Sequence, residues 1–200
     1  YGRVEHGYSN TVDGTEQDVV FAEGDAGLTS LDLSAVFDGS YDVYMSYGAF
    51  EYNQIESLTI PSFVKSLGES SFKQDGTFPR LSSLTFETDA RGNGIEEIKY
   101  GAFQSCDTLA GQEMIALPSS LKYLDGEAFS YCGALNVRLD NSDIRFGGQS
   151  SDDETLAYPF DKGTTIYAYK YKSDGTESDP YRLSQSHSDN IYHYVWIDNV

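Results

Sequence analysis

The chain has 200 residues, of which 39% are hydrophobic and 14% aromatic, and its formal net charge is −19. This composition is too apolar and too aromatic for a disordered acidic chain, and the length fits one ordinary or elongated domain. The negative charge repels phosphate backbones and anionic lipid, which argues against nucleic acid and membrane surfaces as partners, and no apolar run is long enough to span a bilayer.

Residues 1–27 are mostly polar, with one apolar cluster at residues 19–21. They precede a series of repeated segments that the sequence predicts to stack. Because the first unit of a stacked array exposes an apolar face that must be covered, we predict that residues 1–27 form an N-terminal cap. The run Asp13-Gly-Thr-Glu-Gln-Asp18 has a counterpart that starts at Asp174. Such runs are typical of hairpin turns, and a calcium site built from their oxygen atoms is the open alternative.

A short apolar pattern recurs three times between residues 28 and 86. The copies read LTSLDL at residues 28–33, IESLTI at residues 55–60 and LSSLTF at residues 81–86. The alternation of apolar and polar residues is typical of a short strand with one buried face. Pro61 and Pro118 follow two strand-like runs and are expected to end them, because proline donates no hydrogen bond to a neighbouring strand.

A second pattern ends each unit with a phenylalanine. Apolar residues stand eight and five positions before Phe72, Phe103 and Phe129. A partial copy ends at Phe50, because residues 45–50 match residues 98–103 at four of six positions. The gaps between successive phenylalanines are 22, 31 and 26 residues. A unit of this size cannot bury its own apolar face, so we predict stacked coils with one continuous core.

The predicted fold is mainly β: a solenoid of stacked coils with short parallel strands and few helical turns, capped at both ends. We place about four to five irregular units in residues 28–140, with surface loops inserted at residues 76–80, 88–94 and 111–113. The predicted core combines apolar strand positions, the phenylalanines and two cysteines. Its members are Leu28, Leu31, Leu33, Phe50, Leu58, Ile60, Leu67, Phe72, Leu84, Ile98, Phe103, Cys106, Leu109, Leu117, Leu124, Phe129, Cys132 and Leu135.

The residue three positions after each phenylalanine is polar or a thiol: Asn53, Asp75, Cys106 and Cys132. We expect these side chains to satisfy backbone groups at the bend of the coil. Cys106 and Cys132 hold the same position in consecutive coils, about 5 Å apart at strand spacing. A disulfide is therefore geometrically conceivable. Two buried free thiols are the preferred interpretation, because other units carry Asn or Asp there without a partner cysteine.

Outward-facing strand positions are where an array of this kind would bind a ligand. The candidate binding residues are Asp32, Thr59, Thr85, Ala116 and Arg138. Small hydroxyl residues at these positions predict a flat polar surface without an aromatic cluster. Tyrosines concentrate instead near the first coil, at residues 41–47, and at the C-terminal end. Binding through these cap tyrosines is the alternative; the C-terminal group is Tyr167, Tyr169, Tyr171, Tyr192, Tyr194 and the neighbouring Trp196.

Residues 141–200 are predicted to close the C-terminal end of the array. A loop rich in Asp, Ser and Gly at residues 141–154 precedes two segments of strictly alternating residue types, at residues 166–171 and 191–197, which predict strands. Between them, residues 178–188 are predicted to hold one or two helical turns that begin near Asp179 and Pro180. Aspartate caps helices, and proline suits the first turn.

Signals for catalysis or metal binding are weak throughout the chain. His6, His187 and His193 lack the close spacing of metal-ligand pairs, and the SQSH run at residues 184–187 has no G-x-S-x-G turn beside it. The segment Gly92-Asn-Gly lacks the third glycine and the Gly-Lys of a phosphate-binding loop. We therefore expect a protein that is not an enzyme and has no cofactor and no bound metal.

The run A-F-x-x-C-x-x-L…I-x-L-P-x-S-L-x-x-L-x-x-x-A-F-x-x-C, between Ala102 and Cys132, resembles the BspA-like (Treponema-type) leucine-rich repeats. The resemblance covers about residues 28–139 and is most specific in the units around this run. Other units depart from the pattern: Ser71 replaces an alanine, and Glu87 stands where the family has proline.

The resemblance implies a leucine-rich-repeat solenoid in which residues 164–171 and the tail form the usual closing strands. Members of the family are typically secreted or surface-displayed bacterial proteins linked with adhesion and host interaction. The resemblance therefore implies an extracellular or cell-surface location with the signal peptide removed, and the binding of a protein or glycan partner. We also expect a monomer without membrane insertion. A structural or spacer module of a larger surface protein, with no ligand site of its own, is the alternative.

Overall fold

The computed structural model describes residues 7–12, 15–20, 28–37, 39–76, 80–147, 158–178 and 192–198. Over these ranges the chain is a parallel β-solenoid of about five turns with almost no helix, which confirms the predicted fold class. Its strands are β1 (Gly7–Val12), β2 (Thr15–Val20), β3 (Val43–Met45), β4 (Ser57–Ile60), β5 (Val64–Leu67), β6 (Ser83–Phe86), β7 (Glu97–Ile98), β8 (Ile115–Leu117), β9 (Tyr123–Leu124), β10 (Asn136–Leu139), β11 (Arg145–Phe146), β12 (Thr165–Tyr169) and β13 (His193–Ile197). Its helical segments are α1 (Leu33–Val36) and a 3-10 turn (Asp107–Gly111).

The strands form two parallel stacks. The first consists of the pair β4–β6 followed by the sheet β8–β10–β12–β13. The second is the series β3–β5–β7–β9–β11. The hairpin of β1 and β2 extends the second stack at its N-terminal edge, where β1 pairs antiparallel with β3. This hairpin lies within the segment predicted to be the N-terminal cap.

A column of phenylalanine rings runs through the core. Phe50, Phe72, Phe103, Phe129 and Phe160 stack in succession, with neighbouring ring centroids 5.2, 5.7, 5.0 and 5.4 Å apart. Adjacent rings are within 24° of parallel, so each coil presents the same face to the next. Phe160 is absent from the predicted core, although its distance of 31 residues from Phe129 repeats the gap between Phe72 and Phe103.

The predicted core residues are buried, with two exceptions. Leu28 and Leu31 are only partly buried against the cluster. Both precede the first regular strand of the first stack, where there is no earlier coil of that stack among the described residues to cover them. Among the described residues, Leu33 is the first with a fully buried apolar side chain.

The prediction of a strand at residues 28–33 is wrong. The segment begins beside the next coil, because the Gln54 N–H donates to the Leu28 carbonyl at 3.0 Å. The chain then enters α1, whose N-cap is Asp32. One carboxylate oxygen of Asp32 accepts hydrogen bonds from the backbone N–H groups of Ser34 at 2.9 Å and Ala35 at 3.2 Å. The later copies have threonine at the position of Asp32, and a β-branched residue favours the strand instead.

Proline placement follows the backbone hydrogen bonds. Pro61 comes directly after β4, and Pro118 comes directly after β8. At the corresponding position after β6, the Glu87 N–H donates to the carbonyl of Ile60 at 2.9 Å. A proline at position 87 would lose this bond, which explains the departure from the family pattern.

Side chains at the bend after each phenylalanine satisfy backbone groups, as predicted for three of the four positions. Asn53 donates to the Phe50 carbonyl at 2.6 Å and accepts from the Ile55 N–H at 2.8 Å. The Cys106 thiol donates to the Phe72 carbonyl at 3.6 Å, and the Cys132 thiol donates to the Phe103 carbonyl at 3.1 Å, so each bonds to the preceding coil.

The fourth position differs in burial. Asp75 is exposed, and the neighbouring Gln74 is the buried residue. The Gln74 side-chain oxygen accepts from the N–H groups of Arg80 and Leu81, and its amide nitrogen donates to Asn53 at 3.1 Å. The glutamine side chain thus reaches Arg80 and Leu81 on the far side of the insertion that begins at residue 76. An aspartate side chain would be too short to do so.

The C-terminal region contains one strand where the sequence predicted a loop. Residues 145–146 form β11, which pairs with β9, while residues 148–157 lie outside the described part. The two alternating segments form β12 and β13, which are parallel to each other. The predicted helical turns fall almost entirely on residues 179–191, which are also outside the described part.

Candidate functional site

The outward positions of the first strand stack form two in-register columns, one on the pair β4–β6 and one on the sheet β8–β10–β12–β13, which we together name the strand face. Thr59 lies opposite Thr85 across β4 and β6. Across the four-stranded sheet, Ala116 pairs with Arg138. The column continues beyond the predicted residues, because Arg138 pairs with Tyr167 and Tyr167 with Val195. All of these side chains are exposed or half-exposed. The strand face consists of Thr59, Thr85, Ala116, Arg138, Tyr167 and Val195.

Asp32 is not part of the strand face, which corrects the sequence-based prediction. It is exposed, but its carboxylate caps α1, where no strand pairs with it. The structure thus places four of the five predicted binding residues on the strand face, with Thr59 and Thr85 in one column and Ala116 and Arg138 in the other. Tyr167 had been assigned by sequence to the cap tyrosines; its alternation with Ile166 and Ala168 is the signal that places it on this face.

The charged centre of the strand face is a two-point ion pair between Arg138 and Asp140. The Arg138 Nε lies 2.7 Å from Oδ1 of Asp140, and Nη2 lies 3.0 Å from Oδ2. The hydrogen bond to Asp140 raises the pKa of the Arg138 guanidinium. The pair therefore fixes the orientation of a permanently charged group in the middle of the sheet.

A second exposed feature lies on the turns that carry the phenylalanine column. We name it the turn ridge; it comprises the exposed residues Tyr47, Tyr52, Tyr100 and Tyr131. The pKa of the Tyr100 hydroxyl is raised to about 12, chiefly by partial burial and secondly by a hydrogen bond to Glu127. Sequence reasoning missed this ridge as a surface, although each tyrosine stands three residues before or two residues after a phenylalanine of the column.

The cap tyrosines do not form one exposed surface. Tyr41, Tyr44 and Tyr47 are exposed at the N-terminal end. At the other end Tyr192 is buried, and Tyr194 stacks on Trp196 with ring centroids 5.9 Å apart. The alternative of ligand binding through the C-terminal tyrosines therefore loses Tyr192, whose ring covers the end of the phenylalanine column.

The structure also places the residues considered for other chemistry. Cys106 and Cys132 are buried free thiols, in agreement with the preferred interpretation. Burial raises the pKa of both, so they are protonated and poor nucleophiles. Asp174 accepts from the backbone N–H of Thr176 at 2.9 Å and from its hydroxyl at 2.6 Å, which is the geometry of a plain turn. Gly92 lies in a loop closed by Asp89, whose carboxylate accepts from two backbone N–H groups.

The described ranges contain no group of three or more His, Cys, Asp or Glu residues arranged to hold a metal ion. His193 is exposed on β13, whereas His6, His187, Asp13 and Ser184 lie outside the described ranges. In the same ranges, no helix is long and apolar enough to cross a membrane.

Comparison with known proteins bears on the repeats directly. The model of the BspA-type leucine-rich repeat region matches residues 40–136 with six copies. The chain matches no curated protein and no solved structure significantly. The family is generally a non-catalytic repeat domain and is typical of bacterial surface or secreted proteins. The matched range spans β3 to the first residue of β10 and all but the last ring of the phenylalanine column. Residues 40–136 of this chain are therefore a BspA-type leucine-rich repeat region.

Proposed function

We propose that the chain is a non-catalytic binding module of a bacterial cell-surface or secreted protein, and that its strand face binds a protein or glycan partner in adhesion or host interaction. The observation that carries the proposal is the strand face, in which the outward hydroxyl groups of β4 and β6 form one in-register column and the outward guanidinium and aromatic groups of the four-stranded sheet form another. An open, nearly flat face of this kind suits a macromolecular partner better than a small molecule.

Arg138 and Tyr167 are the residues expected to contribute most to the affinity. Arginine and tyrosine are enriched among interface residues whose truncation weakens binding strongly. The ion pair with Asp140 holds the Arg138 side chain in place, so little conformational entropy is lost when a partner binds. Thr59 and Thr85 extend the same surface with small hydroxyl groups that adapt to different partners.

A binding screen tests this proposal. The chain is presented to immobilised host extracellular-matrix proteins and to a glycan array, with and without calcium. Arg138→Ala and Tyr167→Ala should each weaken the binding of any partner found by about tenfold or more. Lys122→Ala is the matched control, because it removes one exposed positive charge from the second strand stack. Equal binding by all three variants contradicts the proposed surface, and a screen without any partner favours the spacer alternative.

A further inference from the structure

A cleft lies at the ends of three consecutive strands of the four-stranded sheet. The turns that follow β8, β10 and β12 enclose a volume of about 280 Å³. It is lined by Ser119, residues 140–143, Tyr169 and residues 171–174. The cleft therefore draws on three successive coils, and its floor is continuous with the strand face through Asp140 and the end of β12.

The walls of this cleft are held by their own hydrogen bonds. The Asn141 side chain donates to the Leu121 carbonyl at 2.8 Å and accepts from the Asp143 N–H at 2.9 Å. The Ser142 hydroxyl donates to the carbonyl of Tyr169 at 2.8 Å, which joins the turn after β10 to the end of β12. A ligand would enter a site that is already formed, without paying to order it.

The carboxylates of the cleft are already paired, which bears on the kind of ligand. Asp140 is bound by Arg138, and Asp143 lies 3.0 Å from the ammonium of Lys172. Asp174 receives both donors of Thr176. Two of these three carboxylates are offset by a cation, so the site offers little to an anion, and the paired carboxylates are not free to gather around an isolated metal cation. Each carboxylate nevertheless keeps oxygen lone pairs that accept hydrogen bonds from hydroxyl groups.

Two tyrosines supply an apolar side to the same cleft. Tyr169 is the last residue of β12, Tyr171 follows two positions later, and both line the cleft. A tyrosine ring combines a broad apolar surface with a hydroxyl group at its rim. A pyranose ring is its chemical complement, because it has a face of C–H groups and a rim of hydroxyl groups.

We propose that this cleft binds a neutral saccharide, with its C–H face against Tyr169 and its hydroxyl groups donating to Asp140 and Asp143. The cleft lies near the lower end of the roughly 300–1,000 Å³ typical of small-molecule sites, which suits one or two sugar units. The site goes beyond the strand-face proposal and does not depend on it: a partner can bind the strand face whether or not the cleft takes a sugar.

Saturation-transfer NMR with defined sugars tests the site. The probes are neutral oligosaccharides of glucose, galactose, mannose and N-acetylglucosamine, each at up to about 10 mM to reach weak affinities, with sialyl-lactose as the anionic comparison. We expect saturation transfer to at least one neutral sugar, with less to sialyl-lactose, and no change when EDTA is added. Absence of transfer to every neutral sugar, or its loss with EDTA, overturns the proposal.

Variants place the binding in the cleft. Tyr169→Ala and Asp143→Asn should each weaken binding of the same sugar by about tenfold. Tyr44→Ala, which removes an exposed tyrosine on β3 at the opposite end of the solenoid, is the matched control and should bind as the unaltered chain does. Thermal unfolding of each variant verifies that it is folded. Undiminished sugar binding by both cleft variants overturns the site, even if Arg138→Ala abolishes a partner at the strand face.

Discussion

At the scale of single residues, several positions beside the phenylalanine column have a left-handed backbone conformation. Glycine is the residue that favours this conformation, yet some of these positions carry other residues. Two positions before the ring, the backbone is left-handed in four of the five coils: glycine occupies two of them, at Gly48 and Gly101, while two others use Ser70 and Glu127 at φ values of 55° and 54°. Two positions after the ring, Tyr131 has a φ of 56°. A side chain other than glycine costs about 1–2 kcal/mol in this region, and this tyrosine is too exposed to recover that cost by packing. Residues that keep a strained backbone tend to lie at functional sites, so Tyr131 makes the turn ridge a second candidate binding surface.

Replacing Tyr131 with asparagine should therefore stabilise the fold. Asparagine adopts the left-handed region more readily than tyrosine, and the ring of Tyr131 is 70% exposed, so little packing is lost. We expect the free energy of unfolding in urea to rise by about 0.5–1 kcal/mol for Tyr131→Asn. Tyr47→Asn makes the same chemical change on an exposed ridge tyrosine without a positive φ, and should bring no gain. Equal changes in the two variants would show that backbone strain is not the cause.

At the scale of elements, the sequence predicts the regular coils well and the irregular ones poorly. The strand alternation and the phenylalanine spacing anticipate β4, β6 and the buried column, because each depends on a local period. Residues 28–33 share that period, yet Asp32 competes through its capping bonds and the segment turns into α1. The two-residue β11 is too short for a period to show. The strand face follows from alternation, whereas the cleft does not, because turns from three coils meet there only in the folded chain.

The join between β6 and β8 provides a test at this scale. The insertion at residues 111–113 separates the two strands, and the side-chain amide of Gln112 spans the gap by pairing with Leu84 as a strand residue would. Its oxygen accepts from the Leu84 N–H at 2.8 Å, and its nitrogen donates to the Leu84 and Met114 carbonyls at 3.0 and 2.8 Å. Gln112→Ala leaves these backbone groups unpaired and should lower the free energy of unfolding by about 2 kcal/mol.

Gln104→Ala is the comparison for this element. Its amide donates only to the side chains of Glu127 and Ser130, at 3.0 and 3.1 Å, so no backbone group of a strand depends on it. We expect a loss of less than about 1 kcal/mol in the same urea titration, because Glu127 has access to water once the amide is gone. If Gln112→Ala lowers the free energy of unfolding no more than Gln104→Ala does, the Gln112 amide does not substitute for strand pairing with Leu84.

At the scale of the whole molecule, a solenoid must end its stack without leaving the last coil unpaired. Within the column the Phe129 N–H donates to the Pro159 carbonyl of the following coil at 2.7 Å. Phe160 is the last ring of the described column. The Tyr192 hydroxyl makes the backbone hydrogen bonds with Phe160 that a further coil would make. The Tyr192 hydroxyl accepts from the Phe160 N–H at 3.1 Å and donates to the Phe160 carbonyl at 3.0 Å. The Tyr192 ring also meets the Phe160 ring edge to face, so one side chain closes both the apolar column and its backbone ladder.

Because each coil contacts mainly its neighbours, removing this closure should loosen one end of the solenoid and spare the other. Tyr192→Phe keeps the ring but leaves the N–H and carbonyl of Phe160 without the hydroxyl, at a cost of about 1–3 kcal/mol. Hydrogen exchange followed by NMR should show faster exchange of the β12 amides at Ile166 and Ala168, with unchanged protection at Leu84 in β6. Tyr167→Phe removes a hydroxyl from the exposed strand face of β12 and should alter neither set. Uniformly faster exchange in Tyr192→Phe would instead show that the coils unfold as one cooperative unit, and that the end residue stabilises all of them equally.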